Sequence, residues 1–218
     1  RSTKGMGLIN DVFVERPPST LPGHLGIGHV RYSTTGSSRP QNVQPIVFEC
    51  LDGIWALAHN GNLPNAARMR RSYQEAGAIF QTSTDSEILM HLLADPMYRS
   101  RTRRVERALG ELDGAFSFLL MTKDSVMATR DRYGFRPLSI GRLGSGYVFA
   151  SETCALDQVG ATFERDVLPG ELVIVDAKGI RSSTFCEPIT GQLGQCIFEH
   201  VYFARPDSMI FGQNVHET

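Results

Sequence analysis

The chain has 218 residues and a mass of 24.1 kDa, enough for one large domain or two small ones at roughly 150 residues each. Hydrophobic residues make up 41% and charged residues 21%, the balance of a folded globular protein rather than a disordered one. Lys and Arg number 22 against 23 Asp and Glu, a formal charge of −1, so a nucleic-acid partner that needs a basic face is not expected. No membrane association is expected either. The longest apolar run, Ala115–Met121, is far short of the ~18 residues that span a bilayer.

Neither end has the look of a natural boundary. The chain opens Arg1-Ser2-Thr3-Lys4, without an initiating Met or a signal-peptide pattern, and closes on His216-Glu217-Thr218; a fragment is expected. The four cysteines, Cys50, Cys154, Cys186 and Cys196, show no C-x-x-C spacing, which leaves a zinc site unsupported. Reduced thiols in a cytoplasmic setting are the expectation, because a chain of this length buries a core without disulfide staples.

In chain order, 24–32, 46–50 and 54–59 are predicted as strands from their short apolar runs and Gly or Pro punctuation. Asn62-Leu63-Pro64-Asn65 opens a helix, with Pro where a first turn tolerates it. Its apolar face is Ala66, Met69, Tyr73 and Ala76, and Gly77 stops it. A second helix is predicted from a capping box of Thr84 and Glu87, followed by Ile88, Leu89 and Leu92. A third runs near 103–112 through Val105, Ala108, Leu109 and Leu112. From residue 115 the pattern turns to short strands at 115–121, 125–129, 137–140, 146–150, 171–175 and 181–186, with one short helix near 155–159. Strands clustered apart from grouped helices predict α+β layers in place of a parallel βαβ sheet. No repeat or linker divides 1–218, so one domain is expected.

Three clusters can carry chemistry. His29-Val30-Arg31-Tyr32-Ser33-Thr34-Thr35-Gly36 puts a guanidinium and several hydroxyls at a strand end. Arg31 fits either a bidentate grip on a carboxylate or a structural ion pair. In His59-Asn60-Gly61-Asn62, the Asn60 side-chain amide and the Gly61 N–H suit an oxyanion hole. Asn-Gly is also a favoured hairpin turn, and composition alone favours the turn. Asp85 fits either a helix first turn stabilised by the dipole or a carboxylate that holds an ammonium group. Arg31 and Asp85 together would clamp the two ends of an α-amino acid. No Ser or Cys lies in a recognisable activating motif, and Cys50, Cys154 and Cys186 suit inert core thiols.

GHVRYSTTG at 28–36, AHNGN at 58–62 and STDSE at 83–87 resemble the glutaminase half of class II glutamine amidotransferases. These are N-terminal-nucleophile hydrolases with a four-layer αββα sandwich. RDRYGFRPLSIG at 130–141, ASET at 150–153, LPGEL at 168–172 and VYFARPDS at 201–208 are similar, within that class, to amidophosphoribosyltransferases. The resemblance spans the whole chain. It implies transfer of ammonia from glutamine to phosphoribosylpyrophosphate, forming phosphoribosylamine for purine synthesis, in a cytoplasmic homo-oligomer. By motif, Arg31 would bind the glutamine α-carboxylate, Asp85 its α-amino group, and Asn60 and Gly61 would form the oxyanion hole. Tyr32, Ser33 and Thr34 would belong to a loop closing over glutamine.

The class attacks with a cysteine at the mature N-terminus, its own α-amino group serving as base. Position 1 here is Arg, so the 218 residues as given are expected to be inactive, their fold incomplete at the N-terminus. The phosphoribosyltransferase half, with its magnesium, is expected to start near or after 218. Some members carry a [4Fe–4S] cluster, and Cys196 matches the position of its first ligand. Two alternatives stay open: a class II enzyme forming glucosamine 6-phosphate, and a non-catalytic glutamine- or partner-binding module.

Overall fold

The computed structural model describes residues 1–14, 17–31, 39–99, 102–187 and 194–217. Helix α1 (Ile9–Val14) precedes β1 (Ile46–Cys50), β2 (Gly53–Asn62), α2 (Ala66–Glu75), α3 (Glu87–Ala94), α4 (Pro96–Arg99) and α5 (Arg104–Gly110). There follow β3 (Ala115–Met121), β4 (Ser125–Arg130), β5 (Ser139–Leu143), β6 (Gly146–Ala150), α6 (Thr153–Gln158), β7 (Thr162–Asp166), β8 (Glu171–Asp176) and β9 (Gly179–Thr184). A π-helix at Glu199–Phe203 and the small hairpin β10 (Met209–Ile210) and β11 (Gln213–Asn214) end the chain. Short 3-10 turns lie at Pro18–Thr20, Pro40–Asn42 and Val215–Glu217.

The main sheet has the order β1-β2-β3-β4-β8-β9, and a smaller one the order β6-β5-β7, every pair antiparallel. Side-chain alternation builds the layers from there. Along β3, Phe116, Phe118 and Leu120 join Trp55 and Leu57 of β2 and Leu172 of β8 in one core with Ile88, Leu89, Leu92 and Leu93 of α3. The opposite face supplies Leu119, Ala128 and Val173, which pack with Ile140, Tyr147 and Phe149 of the smaller sheet. On the far side of that sheet, α6 seats Leu156 against Gly141, where a Cβ would lie 2.9 Å from a Leu156 methyl. Helices, sheet, sheet and helix are the αββα sandwich that the sequence motifs imply. A main sheet covered on both faces explains why β4 is buried at every position and why β3 has no exposed residue.

Most elements lie where the sequence puts them, but five do not. Residues 24–31 are no strand: the alternation is present, with Leu25, Ile27, His29 and Arg31 half-buried and Gly26, Gly28 and Val30 exposed. Yet no described strand pairs with them. A periodic pattern reports a two-sided environment; a strand also needs a neighbour's backbone. Tyr32, the last residue of that predicted strand, lies outside the described residues. Strand β7 went unpredicted because its Thr-Phe-Glu-Arg-Asp run is polar, as suits an exposed edge. The small helices α1 and α4 were likewise not predicted.

The fifth difference is the start of α3. The N-cap is Ser86, without a side-chain cap bond, so Thr84 and Glu87 form no capping box. Glu87 reaches further back: its carboxylate accepts from the Gln81 N–H (2.7 Å), the Thr82 N–H (2.8 Å) and the Thr82 hydroxyl (2.7 Å). Arg70 of α2 donates to the Thr82 and Thr84 carbonyls at 3.0 and 2.8 Å, while Asn42 and Ser83 exchange bonds of 2.8 and 3.0 Å. The loop before Asp85 is thereby pinned from three sides.

Burial opposes the charge on Glu87, but bonds from His91, Gln81 and Thr82 outweigh it and hold the carboxyl at about 2, below its ordinary 4.5. A depressed acid stabilises the fold above its unfolded value. That contribution is therefore expected to be complete above about pH 4.5 and to fade toward pH 2. Glu87→Gln should cost on the order of 2–3 kcal/mol at pH 7 and flatten the acid limb of a denaturation-versus-pH curve. An acid limb identical to wild type would assign the pinning to Arg70 and Asn42.

Candidate functional site at the end of strand β2

Strand β1 stops pairing at Ile46, opposite Leu57 of β2, yet β2 runs on to Asn62 alongside β3. Past that point side chains replace the missing neighbour. The His59 N–H donates to Gln44 Oε1 at 2.6 Å. Its carbonyl meets His29 Nε2 at 3.0 Å and accepts from the Gln44 amide at 3.4 Å. The backbone of His59 is therefore turned away from β3, and alternation turns that of Asn60 toward it, opposite Ser117.

Gly61 faces Phe116, whose backbone is fully engaged on its other side. The Phe116 N–H donates to Asp131 Oδ2 at 3.0 Å, and its carbonyl accepts from the Asp131 N–H at 2.9 Å. Gly61 and Phe116 thus make a non-hydrogen-bonded pair, and the Gly61 N–H projects to the β1 side of β2, beyond the last described β1–β2 pair at Ile46 and Leu57. Asn60-Gly61 lies inside a strand, which removes the hairpin-turn alternative.

Only glycine fits at 61. Its φ is +151°, and a Cβ there would lie 2.0 Å from the Ala115 carbonyl oxygen and 2.8 Å from His59 Nε2. Asn60, half-buried, points to the face opposite His59. Consecutive residues at an open strand edge therefore offer a side-chain amide and a backbone N–H, the donor set that a developing oxyanion needs.

Asp85 is held to the same strand end. Its Oδ2 accepts the Leu63 N–H at 2.8 Å, and Oδ1 accepts from the Ser86 hydroxyl at 3.3 Å. His59 Nδ1 is 3.7 Å from Oδ1 and 2.8 Å from Ser86 Oγ. Burial pushes the Asp85 carboxyl up, but His59 and the Leu63 and Ser86 N–H groups bring it below the ordinary range, leaving a carboxylate at neutral pH. Asp85 precedes the N-cap of α3, and its partners are His59 of β2, Leu63 just after that strand and the adjacent Ser86.

Arg31 is half-buried, and the His29 contact with His59 brings its segment to this end of β2. Tyr32, Ser33 and Thr34 lie outside the described residues. Of the supporting residues, Gln44 was not singled out in the sequence, and His29 and His59, which open two of the motif clusters, were given no role there. A His inside the apolar run 54–59 was the one available signal: His59 is buried, stacks on Phe118 with centroids 4.2 Å apart, and its Nε2 has no partner among the described residues. Burial also lowers the pKa of His29.

No disulfide joins the four cysteines. Burial pushes the thiols of Cys154 and Cys186 above their ordinary range, and Cys50 packs against the helix-side core. Cys196 is half-buried before the π-helix. A [4Fe–4S] cluster takes four ligands, and among the described residues no group of three or more His, Cys, Asp or Glu is arranged to hold a metal. These residues do not form a cluster site by themselves.

A sequence profile described as a glutamine amidotransferase domain matches residues 29–158, a span that includes Arg31, Asn60, Gly61 and Asp85. The chain belongs to the glutamine amidotransferase domain family. Amidophosphoribosyltransferase 3, chloroplastic, of Arabidopsis thaliana is 47% identical over 218 residues, all of this chain and 41% of that protein. The glutamine phosphoribosylpyrophosphate amidotransferase of B. subtilis, solved with ADP and GMP, superposes with a TM-score of 0.89 at 43% identity. That match covers 98% of this chain and 46% of the other. A structure described as the allosteric regulatory enzyme of purine biosynthesis gives 0.91 and 44%, with the same coverage. This glutamine amidotransferase chain thus spans less than half the length of these relatives.

Proposed function

We propose that the chain is the glutamine-binding, ammonia-releasing part of an amidophosphoribosyltransferase. The observation that carries this reading is the placement of Asn60 and Gly61 within β2 with the Gly61 N–H outside the ladder. Arg31 grips the α-carboxylate of glutamine through a charge-assisted pair, and Asp85 receives the α-ammonium. The side-chain amide then sits where Asn60 and Gly61 donate to the oxygen that turns negative on attack. Tyr32, Ser33 and Thr34 are proposed to close over the bound amino acid. The nucleophile of the class, an N-terminal cysteine, is not assigned within these 218 residues.

The acceptor, phosphoribosylpyrophosphate with magnesium, is proposed to belong to the remaining length that the relatives have. The high identity along the whole chain to amidophosphoribosyltransferases favours this acceptor over a hexose phosphate.

Asp85→Asn in the full-length protein tests the amino-acid clamp. The variant keeps an oxygen for the Leu63 N–H but removes the charge that an ammonium needs. The KM for glutamine should rise roughly 10–100-fold, the equivalent of about 1.5–3 kcal/mol for a hydrogen bond to a charged group. An unchanged KM would make Asp85 a latch for the end of β2 and nothing more.

A further inference from the structure

The turn joining β4 to β5 has two grips on it, from opposite directions. From the sheet side, the carbonyl of Arg136 accepts from the Ser117 hydroxyl at 3.2 Å and from Arg130 Nε at 2.8 Å. Ser117 also reaches the Pro137 carbonyl at 3.4 Å. From the C-terminal side, the Arg136 guanidinium donates to Glu199 Oε1 at 2.6 Å and lies over the Phe203 ring at 5.1 Å. Glu199 is 4% exposed, so its only charge partner within ion-pair distance among the described residues, Arg136, decides how that carboxylate is held.

Glu199 begins the π-helix, a single turn of a rare geometry that recurs at functional sites. The segment beyond it is tied down independently. Glu152 accepts from the Arg205 N–H at 2.8 Å and the Ser208 hydroxyl at 2.9 Å, and Thr153 Oγ1 accepts from the Met209 N–H at 2.8 Å. The π-helix is thus an anchored strut with Arg136 at its end.

Ser117 is the direct cross-strand partner of Asn60, and directly opposed residues share one face of a sheet with Cβ atoms about 5 Å apart. The Arg136-Pro137 turn, bonded to Ser117, therefore walls the side of the sheet that the Asn60 amide occupies. We infer that Arg136 and Glu199 are a positioning pair that fixes the Asn60 amide through the Arg136-Pro137 turn and Ser117. This rests on the reading of Asn60 as the oxyanion donor. The carboxamide of Asn60 has no strong rotamer preference of its own at its terminal torsion, so the wall beside it sets its direction.

Arg136→Met, read in the full-length protein, retains the length that stacks on Phe203 and removes the donor to Glu199. Glutamine hydrolysis should lose roughly tenfold in kcat with KM within about twofold, since small misplacements of a reacting geometry cost rate. Arg136→Lys, which keeps a donor and the charge, should recover most of it. The same change in an Asn60→Ala background should produce no further loss, because the group it positions is gone. Should Arg136→Met fail to fold, Glu199→Gln, close in volume to the native residue, is read in the same two backgrounds. An equal fold-loss in both backgrounds, or none in either, overturns the pair. Absence of glutamine hydrolysis in the wild-type protein would instead overturn the reading of the site on which it rests.

Discussion

Gly61→Ala should destabilise the chain by roughly 3–5 kcal/mol, the sum expected of an overpacked contact and a disfavoured backbone conformation. The physical cause is local and double. Gly61 has φ +151°, and a Cβ would stand 2.0 Å from the Ala115 carbonyl oxygen, an atom of the adjoining strand that cannot rotate away. Gly77 provides the comparison: its φ is +92°, yet a Cβ there would meet nothing within 4 Å. Gly77→Ala carries the backbone cost alone, about 1 kcal/mol or slightly more. Denaturant unfolding of both variants separates overlap from strain. Equal losses would show that β2 and β3 part easily at Ala115 and that the close approach is not required.

Asn60→Ala should lower kcat for glutamine hydrolysis by roughly 10²–10³, the range found when one oxyanion donor is removed, and leave KM within a few-fold of wild type. The expectation is specific because Asn60 is a strand residue with β3 beside it, so the truncation leaves the backbone ladder intact. The measurement is a glutaminase assay on the full-length protein, with unfolding monitored in parallel. Full-rate turnover would exclude Asn60 from the reaction and leave Gly61 as the only donor of the pair. A raised KM at unchanged kcat would make it a ground-state contact with glutamine.

These two effects fall on neighbouring residues for different reasons, and the sequence distinguished them only in part. Asn-Gly reads as a turn or as a pair of donors, and composition alone favours the turn, because the dipeptide carries no information about what lies opposite it. Ser117, opposite Asn60, and Phe116, opposite Gly61, settle the matter from 57 and 55 positions away. Asp85 was legible as an acid near a helix start, but its partners are Leu63, Ser86 and His59. Two of those three lie on or next to β2, outside any local window. The supposed capping box shows the same limit. Thr84 and Glu87 have the right types at the right spacing, and Glu87 nonetheless turns to Gln81 and Thr82.

Amphipathic periodicity was enough to locate α2, α3 and α5 and most strands of both sheets, because each element must bury one face and the spacing of apolar residues records which. The local motifs were enough to raise Arg31, Asn60, Gly61 and Asp85 as candidates. Pairing was not recorded there. Residues 24–31 alternate like a strand and have no described partner, whereas β7 is a strand without alternation, held to β5 at an exposed edge. The tertiary structure alone decided that β1–β2 pairing stops at Ile46 and Leu57 while β2 continues, and that Gln44 and His29 take up the backbone of His59 in its place. That mismatch in strand length frees the Gly61 N–H. A hydrogen-bonding group becomes available to a ligand only where the fold declines to use it, and that depends on distant strands, whose positions no local pattern encodes.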